Sequence, residues 1–199
     1  MKNNIIPTRT LVLGIGNVLF GDEGLGVHLA SLLRHNYRFA NGPGAADPAG
    51  PGPAHFAIVD GGTLGPHLIP LLAEQSQVLL LDTITSTGSK PGEVFCFDYL
   101  EMPAPAKAQG SAHEVEMRQT LAMMRMAGDL PRIMVLAAVP AIISAASFEL
   151  SPPIRAAAGL MENKALEILA GWGFQGERVA ALTISDIAAN CCRVGDRVS

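Results

Sequence analysis

The feature that most constrains this chain is a series of short, continuously apolar segments separated by segments with helical spacing of leucines. The first apolar segment runs from Thr10 to Ile15, and others cover 55–59, 77–81 and 132–139. A strand without polar alternation is buried on both faces, which is typical of a parallel sheet. Because strands and helices alternate, the sequence predicts an α/β fold. We expect a three-layer sandwich with helices on both faces of the sheet.

One strand breaks the parallel pattern. Residues 93–97 follow the strand at 77–81 after a turn, without an intervening helix. Antiparallel neighbours can be joined by a short turn, whereas parallel neighbours need a long crossover. We therefore expect about five strands, mostly parallel and twisted, with one antiparallel strand at an edge.

Two serines mark the starts of predicted helices. Ser111 is followed three residues later by Glu114, which fits a capping box and predicts a helix to about Ala127. Ser151 precedes two prolines, a pattern typical of a helix N-cap followed by the first helical positions.

The length of 199 residues fits one domain with a core over about 10–170. The Pro/Gly/Ala-rich segment 41–53 is predicted to be a surface loop. The segment 174–199 is predicted to be a C-terminal extension. Its part from Val179 to Ala189 is compatible with a strand, a helix or a partner-binding segment.

Composition excludes several classes of protein. A hydrophobic share of 49% with 16% charged residues excludes disorder over the whole chain. A net charge of -4 argues against nucleic-acid binding. The apolar stretch near the N-terminus, 11–20, is interrupted by glycines and predicts neither a signal peptide nor a membrane span. Three cysteines without zinc-site spacing predict reduced thiols in a cytoplasmic protein.

Acidic residues follow three of the predicted strands. Asp22 and Glu23 come after the first strand, Asp60 after the second and Asp82 after the third. Ligands of open α/β sheets bind beyond the carboxyl ends of the strands, so we expect these acids at one edge of the sheet. The alternatives are that Asp22 complements a helix dipole and that Asp60 caps a turn.

The glycines around this first helix start favour a close contact. Gly24 and Gly26 lie where a helix would prefer alanine, at a cost of about 1 kcal/mol each. Their presence indicates that another group approaches the helix closely there.

The histidines offer one further ligand for a metal site. His113 lies in the first turn of a predicted helix, after an irregular loop, where it could turn toward the acidic edge. His28 and His35 are predicted to share a solvated helix face, His55 to lie at the opposite edge and His67 to lie on the surface. Two carboxylates with one imidazole favour a borderline divalent metal such as Ni²⁺, Zn²⁺ or Mn²⁺, with open coordination positions.

Nucleotide binding and a nucleophilic enzyme fit less well. The turn begins with Gly14 and Gly16 like a dinucleotide fingerprint, but Leu19 occupies the position of the third glycine. Asp22 and Glu23 would also repel a phosphate at the helix start. The sequence contains no G-x-S-x-G nucleophile elbow and no H-E-x-x-H metal motif.

Several segments, in order along the chain, resemble the [NiFe]-hydrogenase maturation endopeptidases. They are 11–27 (LVLGIGNVLFGDEGLGV), 59–65 (VDGGTLG), 80–82 (LLD) with 90–93 (KPGE), 111–114 (SAHE) and 148–153 (FELSPP). The resemblance extends from about Thr10 to Leu169. It implies a specific endopeptidase that removes a C-terminal peptide from the large-subunit precursor of a hydrogenase after nickel insertion. This family is often grouped with aspartic proteases.

The resemblance also implies the roles of the site residues. The family's metal-contacting positions correspond to Glu23, Asp60 and His113, which would act as metal ligands and in catalysis. Nickel would arrive with the precursor, without a nucleotide cofactor, and a carboxylate-assisted or metal-assisted water would attack the peptide bond. We expect a monomer. The alternative is a protein that binds or delivers a divalent metal without hydrolysis.

Overall fold

The computed structural model describes residues 9–39, 55–101, 112–141 and 147–191, except the side chains of 112–114. The predicted loop at 41–53 lies outside this part of the chain. The strands are, in chain order, β1 (Arg9–Ile15), β2 (Tyr37–Phe39), β3 (His55–Gly62), β4 (Gln77–Thr83), β5 (Val94–Asp98), β6 (Arg132–Ala138) and β7 (Gly176–Arg178).

Five of these strands form the main sheet, in the order β3-β1-β4-β6-β5. The pairs β1–β3, β1–β4 and β4–β6 are parallel, and β5 is antiparallel to β6 at one edge. The predicted α/β sheet with a single antiparallel edge strand is confirmed. The short antiparallel pair β2–β7 forms a second sheet that the sequence analysis did not predict.

The helices are α1 (Leu25–Asn36), α2 (Ile69–Ala73), α3 (Ala112–Ala127), α4 (Pro152–Gly171) and α5 (Ile184–Cys191). Short 3-10 turns occur at Gly21–Gly24, Gly65–Leu68 and Tyr99–Glu101. Within the described ranges, no helix combines the length and the apolar character needed to cross a membrane.

Helices cover both faces of the main sheet, as predicted. On one face, α1, α4 and α5 pack over side chains that include Val12, Leu79 and Leu136. On the other face, α2 and α3 pack over side chains that include Leu13, Leu80 and Val135. Successive residues of the central strands thus pack into hydrophobic cores on opposite faces of the sheet. Because both faces are buried, these strands lack polar alternation.

Two glycines allow α1 to lie directly on the sheet. A Cβ added at Gly26 would overlap the carbonyl oxygens of Ile15 and Leu81, and one added at Gly14 would overlap the carbonyl oxygen of Gly26. The close approach that the helix glycines indicated is therefore present at Gly26. The approaching group is the backbone of β1 and β4.

The segment after α4 packs against the domain. Phe174, Ile184 and Ile187 are buried in the same core as α1. The prediction that His28 lies on a solvated face is wrong, because it is only 1% exposed. The physical reason is α5, whose last residue, Cys191, contacts the His28 ring.

We predict that Gly26→Ala destabilises the protein by about 1–3 kcal/mol, because the added methyl group overpacks the contact with β1 and β4. The matched control is Gly159→Ala in α4, where an added Cβ meets no atom within 4 Å. That change should stabilise the protein by up to about 1 kcal/mol through helix propensity. Urea denaturation measures both free energies of unfolding. If both substitutions raised the free energy of unfolding by the same amount, the overpacking at Gly26 would be contradicted.

We predict that His28 makes stability fall in mildly acidic solution. Burial lowers the pKa of His28 from 6.5 to about 4, although the negative charge of Asp60 opposes this shift. Between these two pH values the unfolded chain binds a proton at this site and the folded protein does not, so the free energy of unfolding rises with pH. The His28 contribution is complete above pH 6.5 and declines by roughly 3 kcal/mol by pH 4, at about 1.4 kcal/mol per pKa unit.

Urea denaturation of the metal-free protein between pH 7 and pH 4.5 measures this effect. The free energy of unfolding of His28→Gln should depend less on pH than that of the wild type. His35→Gln, on the exposed end of α1, should not change this pH dependence. Parallel pH profiles for the wild type and His28→Gln would refute the assignment.

Candidate active site

The carboxyl ends of β1 and β3 lie side by side and form the base of the candidate site. In their parallel register Gly14 is opposite Asp60, and Ile15 is opposite Gly62 after a local irregularity. The Gly16 N–H then donates to the Gly62 carbonyl oxygen at 2.9 Å. The loop that carries Glu23 therefore starts beside the strand end that carries Asp60.

Asp22 is buried and holds the loop after β1 in place. It is 1% exposed. Its Oδ1 accepts the Ser151 N–H at 2.7 Å, and its Oδ2 accepts the Ala141 N–H and the Ser151 hydroxyl, both at 2.8 Å. Asp22 thus ties the start of α1 to the start of α4.

The same bonds correct the prediction for Ser151. It occupies the N-cap position of α4, with proline in the first turn, as expected, but its side chain makes no capping hydrogen bond. The hydroxyl donates to Asp22 instead. A buried carboxylate accepts a stronger hydrogen bond than a neutral group would, which explains why the cap is given up.

Glu23 lies on the 3-10 turn at Gly21–Gly24 and is 6% exposed. Both ends of this turn are held by backbone contacts. The Gly21 N–H donates to the Ser147 carbonyl oxygen at 2.6 Å. Gly16, with a φ of 139°, lies so close to the Glu23 carbonyl that an added Cβ would overlap it. The Glu23 side chain therefore starts from a fixed backbone.

Asp60 is the exposed acid of the site. Its Oδ1 accepts the Gly62 N–H at 2.9 Å, so the predicted turn-capping alternative is real. An ionised carboxylate has about four acceptor positions on two oxygens, so one such bond is compatible with a metal contact. Asp60 also lines a groove of about 320 Å³ between β3, α1 and α5.

His28 is a functional-site neighbour that the sequence analysis missed. Its ring lies beneath Gly24, one helical turn earlier, where an added Cβ would be 3.0 Å from Nε2. Its Nδ1 is 3.8 Å from the Cys191 sulfur. Since burial keeps its pKa at about 4, the imidazole is neutral at pH 7. Its position between the buried leucines Leu25 and Leu32 is the pattern that could have identified it as buried.

His113 is the second residue of α3, and its side chain lies outside the described part of the structure. A short connection joins the end of α3 to the start of β6, so the first turn of α3 lies at the carboxyl edge of the sheet. One turn further, the Glu116 side chain lies close to Gly65, shortly after β3. The backbone of α3 therefore starts on the same edge as Glu23 and Asp60.

The remaining candidates lie on the other face of the sheet, lie at its opposite edge or are exposed. Asp82 is buried at the end of β4, accepts the Thr83 N–H at 2.7 Å and lines a narrow slot on the α3 face. His55 starts β3 at the opposite edge, and His35 and His67 are exposed. Among the described side chains, which exclude His113, no three His, Cys, Asp or Glu residues form a group able to hold a metal.

Known proteins with similar sequences and folds point to one family. A family model described as hydrogenase maturation protease matches residues 27–168. Protein HydD of Wolinella succinogenes is 39% identical over 163 residues, covering 81% of this chain and 96% of HydD. The hydrogenase 2 maturation protease of Escherichia coli K12 is 30% identical over 131 residues, covering 66% of this chain and 72% of that protein.

The fold agrees with these sequence matches. The hydrogenase maturating endopeptidase HybD from E. coli superimposes with a TM-score of 0.73 at 25% identity, covering 86% of this chain and 98% of HybD. The superposition covers most of the chain, which carries the sheet, the helices on both faces and the carboxyl edge with Glu23 and Asp60. The chain belongs to the hydrogenase maturation protease family and is a hydrolase of the endopeptidase class.

Proposed function

We propose that this endopeptidase removes a C-terminal peptide from the nickel-loaded large-subunit precursor of a [NiFe] hydrogenase. The observation that carries the proposal is the pairing of β1 with β3, which puts Asp60 opposite Gly14 and beside the loop of Glu23. The carboxylate of Asp22 accepts hydrogen bonds from Ala141 and Ser151, and Glu23 is the other acid of this loop. The proposal includes a monomeric, cytoplasmic protein and no nucleotide.

In this proposal Glu23, Asp60 and His113 contact nickel that the precursor brings. Carboxylate oxygens and an imidazole nitrogen suit the open positions of a borderline metal held by thiolates of the substrate. The contact would fix the scissile peptide bond at the carboxyl edge of the sheet. Binding the metal as part of the substrate would restrict cleavage to precursors that have received it.

The proposed attacking group is water, activated by a carboxylate of the site. The water oxygen bonds to the peptide carbonyl carbon, the carbon–nitrogen bond breaks and the released amine takes up a proton. A carboxylate that accepts the proton of the water can return it to the leaving amine. Glu23 is suited to this task because it is largely shielded from solvent on a fixed turn.

Cys191 is an alternative nucleophile that lines the same groove as Asp60. Its sulfur is 3.8 Å from the His28 ring, an arrangement that can activate a thiol. However, Cys191 ends α5, and the negative end of a helix dipole disfavours a thiolate. Cys96 lies on β5 at the far edge of the sheet, and burial raises the pKa of its thiol. We therefore propose a water nucleophile.

The alternative of metal delivery without hydrolysis would use the same ligands. Membership of the protease family favours hydrolysis. The two functions differ in one product, because only hydrolysis shortens the precursor.

We predict that Glu23→Gln reduces processing by roughly 10²–10⁴-fold, the range for loss of a catalytic acid–base group. His113→Ala should abolish processing, because the nickel then loses its imidazole contact. Both variants should remain folded. The matched control is the neighbouring acid: Asp22→Asn should lose about 1–3 kcal/mol of stability, since the Ser151 and Ala141 donors lose their charged acceptor.

Mass spectrometry of the precursor measures processing, and urea denaturation measures stability. Full processing by Glu23→Gln or His113→Ala would show that the site is assigned to the wrong residues. An unchanged stability of Asp22→Asn would show that Asp22 does not have the structural role described.

We predict that the wild type shortens nickel-loaded precursor and leaves nickel-free precursor intact, because the metal completes the binding site. The readout is the mass loss of the large subunit. Cleavage of both forms at equal rates would remove nickel from the recognition step while keeping the protease function. A stable complex with the nickel-loaded form but no mass loss would favour metal binding or delivery.

A further inference from the structure

The edge strand β3 leads directly into the candidate site. Among the described strands it pairs with β1 only, so one of its sides faces away from the sheet. His55, Ala57 and Asp60 on this strand are exposed. An edge strand presents backbone N–H and carbonyl groups that an extended peptide can pair with, adding a strand to the sheet.

A groove of about 320 Å³ accompanies this edge on the face covered by α1 and α5. Its apolar lining includes Val27, Ile58 and Ile187. Side chains of an added strand alternate between the two faces of the sheet, so every second one would enter this groove. The groove therefore supplies pockets for side chains where β3 supplies hydrogen bonds.

The charges in the groove are separated along its length. Asp60 lines it at the carboxyl edge, and Arg34 lines it from the last turns of α1. Val27 and Arg34, both in the lining, are seven residues apart on α1, which corresponds to about 10 Å. An extended peptide covers that distance with about three residues. Arg34 is exposed and can form a bidentate pair with a carboxylate.

We infer that the C-terminal segment of the precursor binds as an extended strand along β3, with a carboxylate of that segment on Arg34 at the end of the groove away from Asp60. This inference rests on the proposed function, which supplies the occupant. It is supported by the opposite charges of the groove and by its continuity with Asp60. The carboxylate belongs either to an acidic side chain or to the C-terminus of the precursor.

Hydrogen exchange and kinetics of the full-length protein with nickel-loaded precursor test the inference. Bound precursor should slow amide exchange in β3.

Arg34→Glu should raise KM by roughly tenfold with kcat nearly unchanged, because it acts on binding. The matched control is Arg125→Glu, an exposed arginine on α3 on the opposite face of the sheet, which should change neither constant. Nickel-loaded precursor with an amidated C-terminus separates the two carboxylate sources. It should raise KM as Arg34→Glu does if the terminal carboxylate binds Arg34, and leave KM unchanged if an acidic side chain does.

The outcomes distinguish this inference from the function on which it rests. Cleavage without slower exchange in β3, or an unchanged KM for Arg34→Glu, would overturn the docking surface and leave the protease function standing. Slower exchange in β3 without cleavage would retain the docking surface and contradict the protease function.

Discussion

The contact between α1 and the sheet through Gly14 and Gly26 is the constraint on which the rest of the site depends. Because neither residue carries a Cβ, the helix backbone rests on the carbonyl oxygens of β1 and β4. The helix start can therefore lie immediately above the strand ends. The turn that carries Glu23 connects these two elements, so its position follows from their contact. A larger residue at either glycine would lift the helix and move Glu23 away from Asp60.

In the proposed function, the two adjacent acids of this turn have different roles, Asp22 a structural one and Glu23 a chemical one. Asp22 is committed to the Ser151 and Ala141 donors and joins the turn to the segment before α4. Because its hydroxyl donates to Asp22, Ser151 does not cap its own helix. Glu23 then starts from a backbone held by Gly16 on one side and by the Gly21 bond to Ser147 on the other. If nickel arrives with the precursor, as proposed, this support would hold Glu23 in position before the metal binds.

The sequence predicts the central strands and long helices well because burial on both faces leaves an uninterrupted apolar pattern, as in β1 and β4. It also predicts that Glu23 and Asp60 share an edge, since the parallel strands of a sheet end together. It could not predict β2 and β7, which have three residues each and depend on a contact between distant segments. The burial of His28 was missed although its spacing from Leu25 and Leu32 places it on the buried face of α1. The ring also contacts Cys191 at the end of α5, and the sequence of α5 fits several structures.

The central claim is that Glu23, Asp60 and His113 complete the coordination of nickel carried by the precursor. X-ray absorption spectroscopy at the nickel edge of the freeze-quenched complex tests it most directly. The account predicts that oxygen donors and imidazole scattering appear when the protein joins the nickel-loaded precursor, and that His113→Ala removes the added imidazole signal. A nickel spectrum identical to that of the precursor alone would contradict the account.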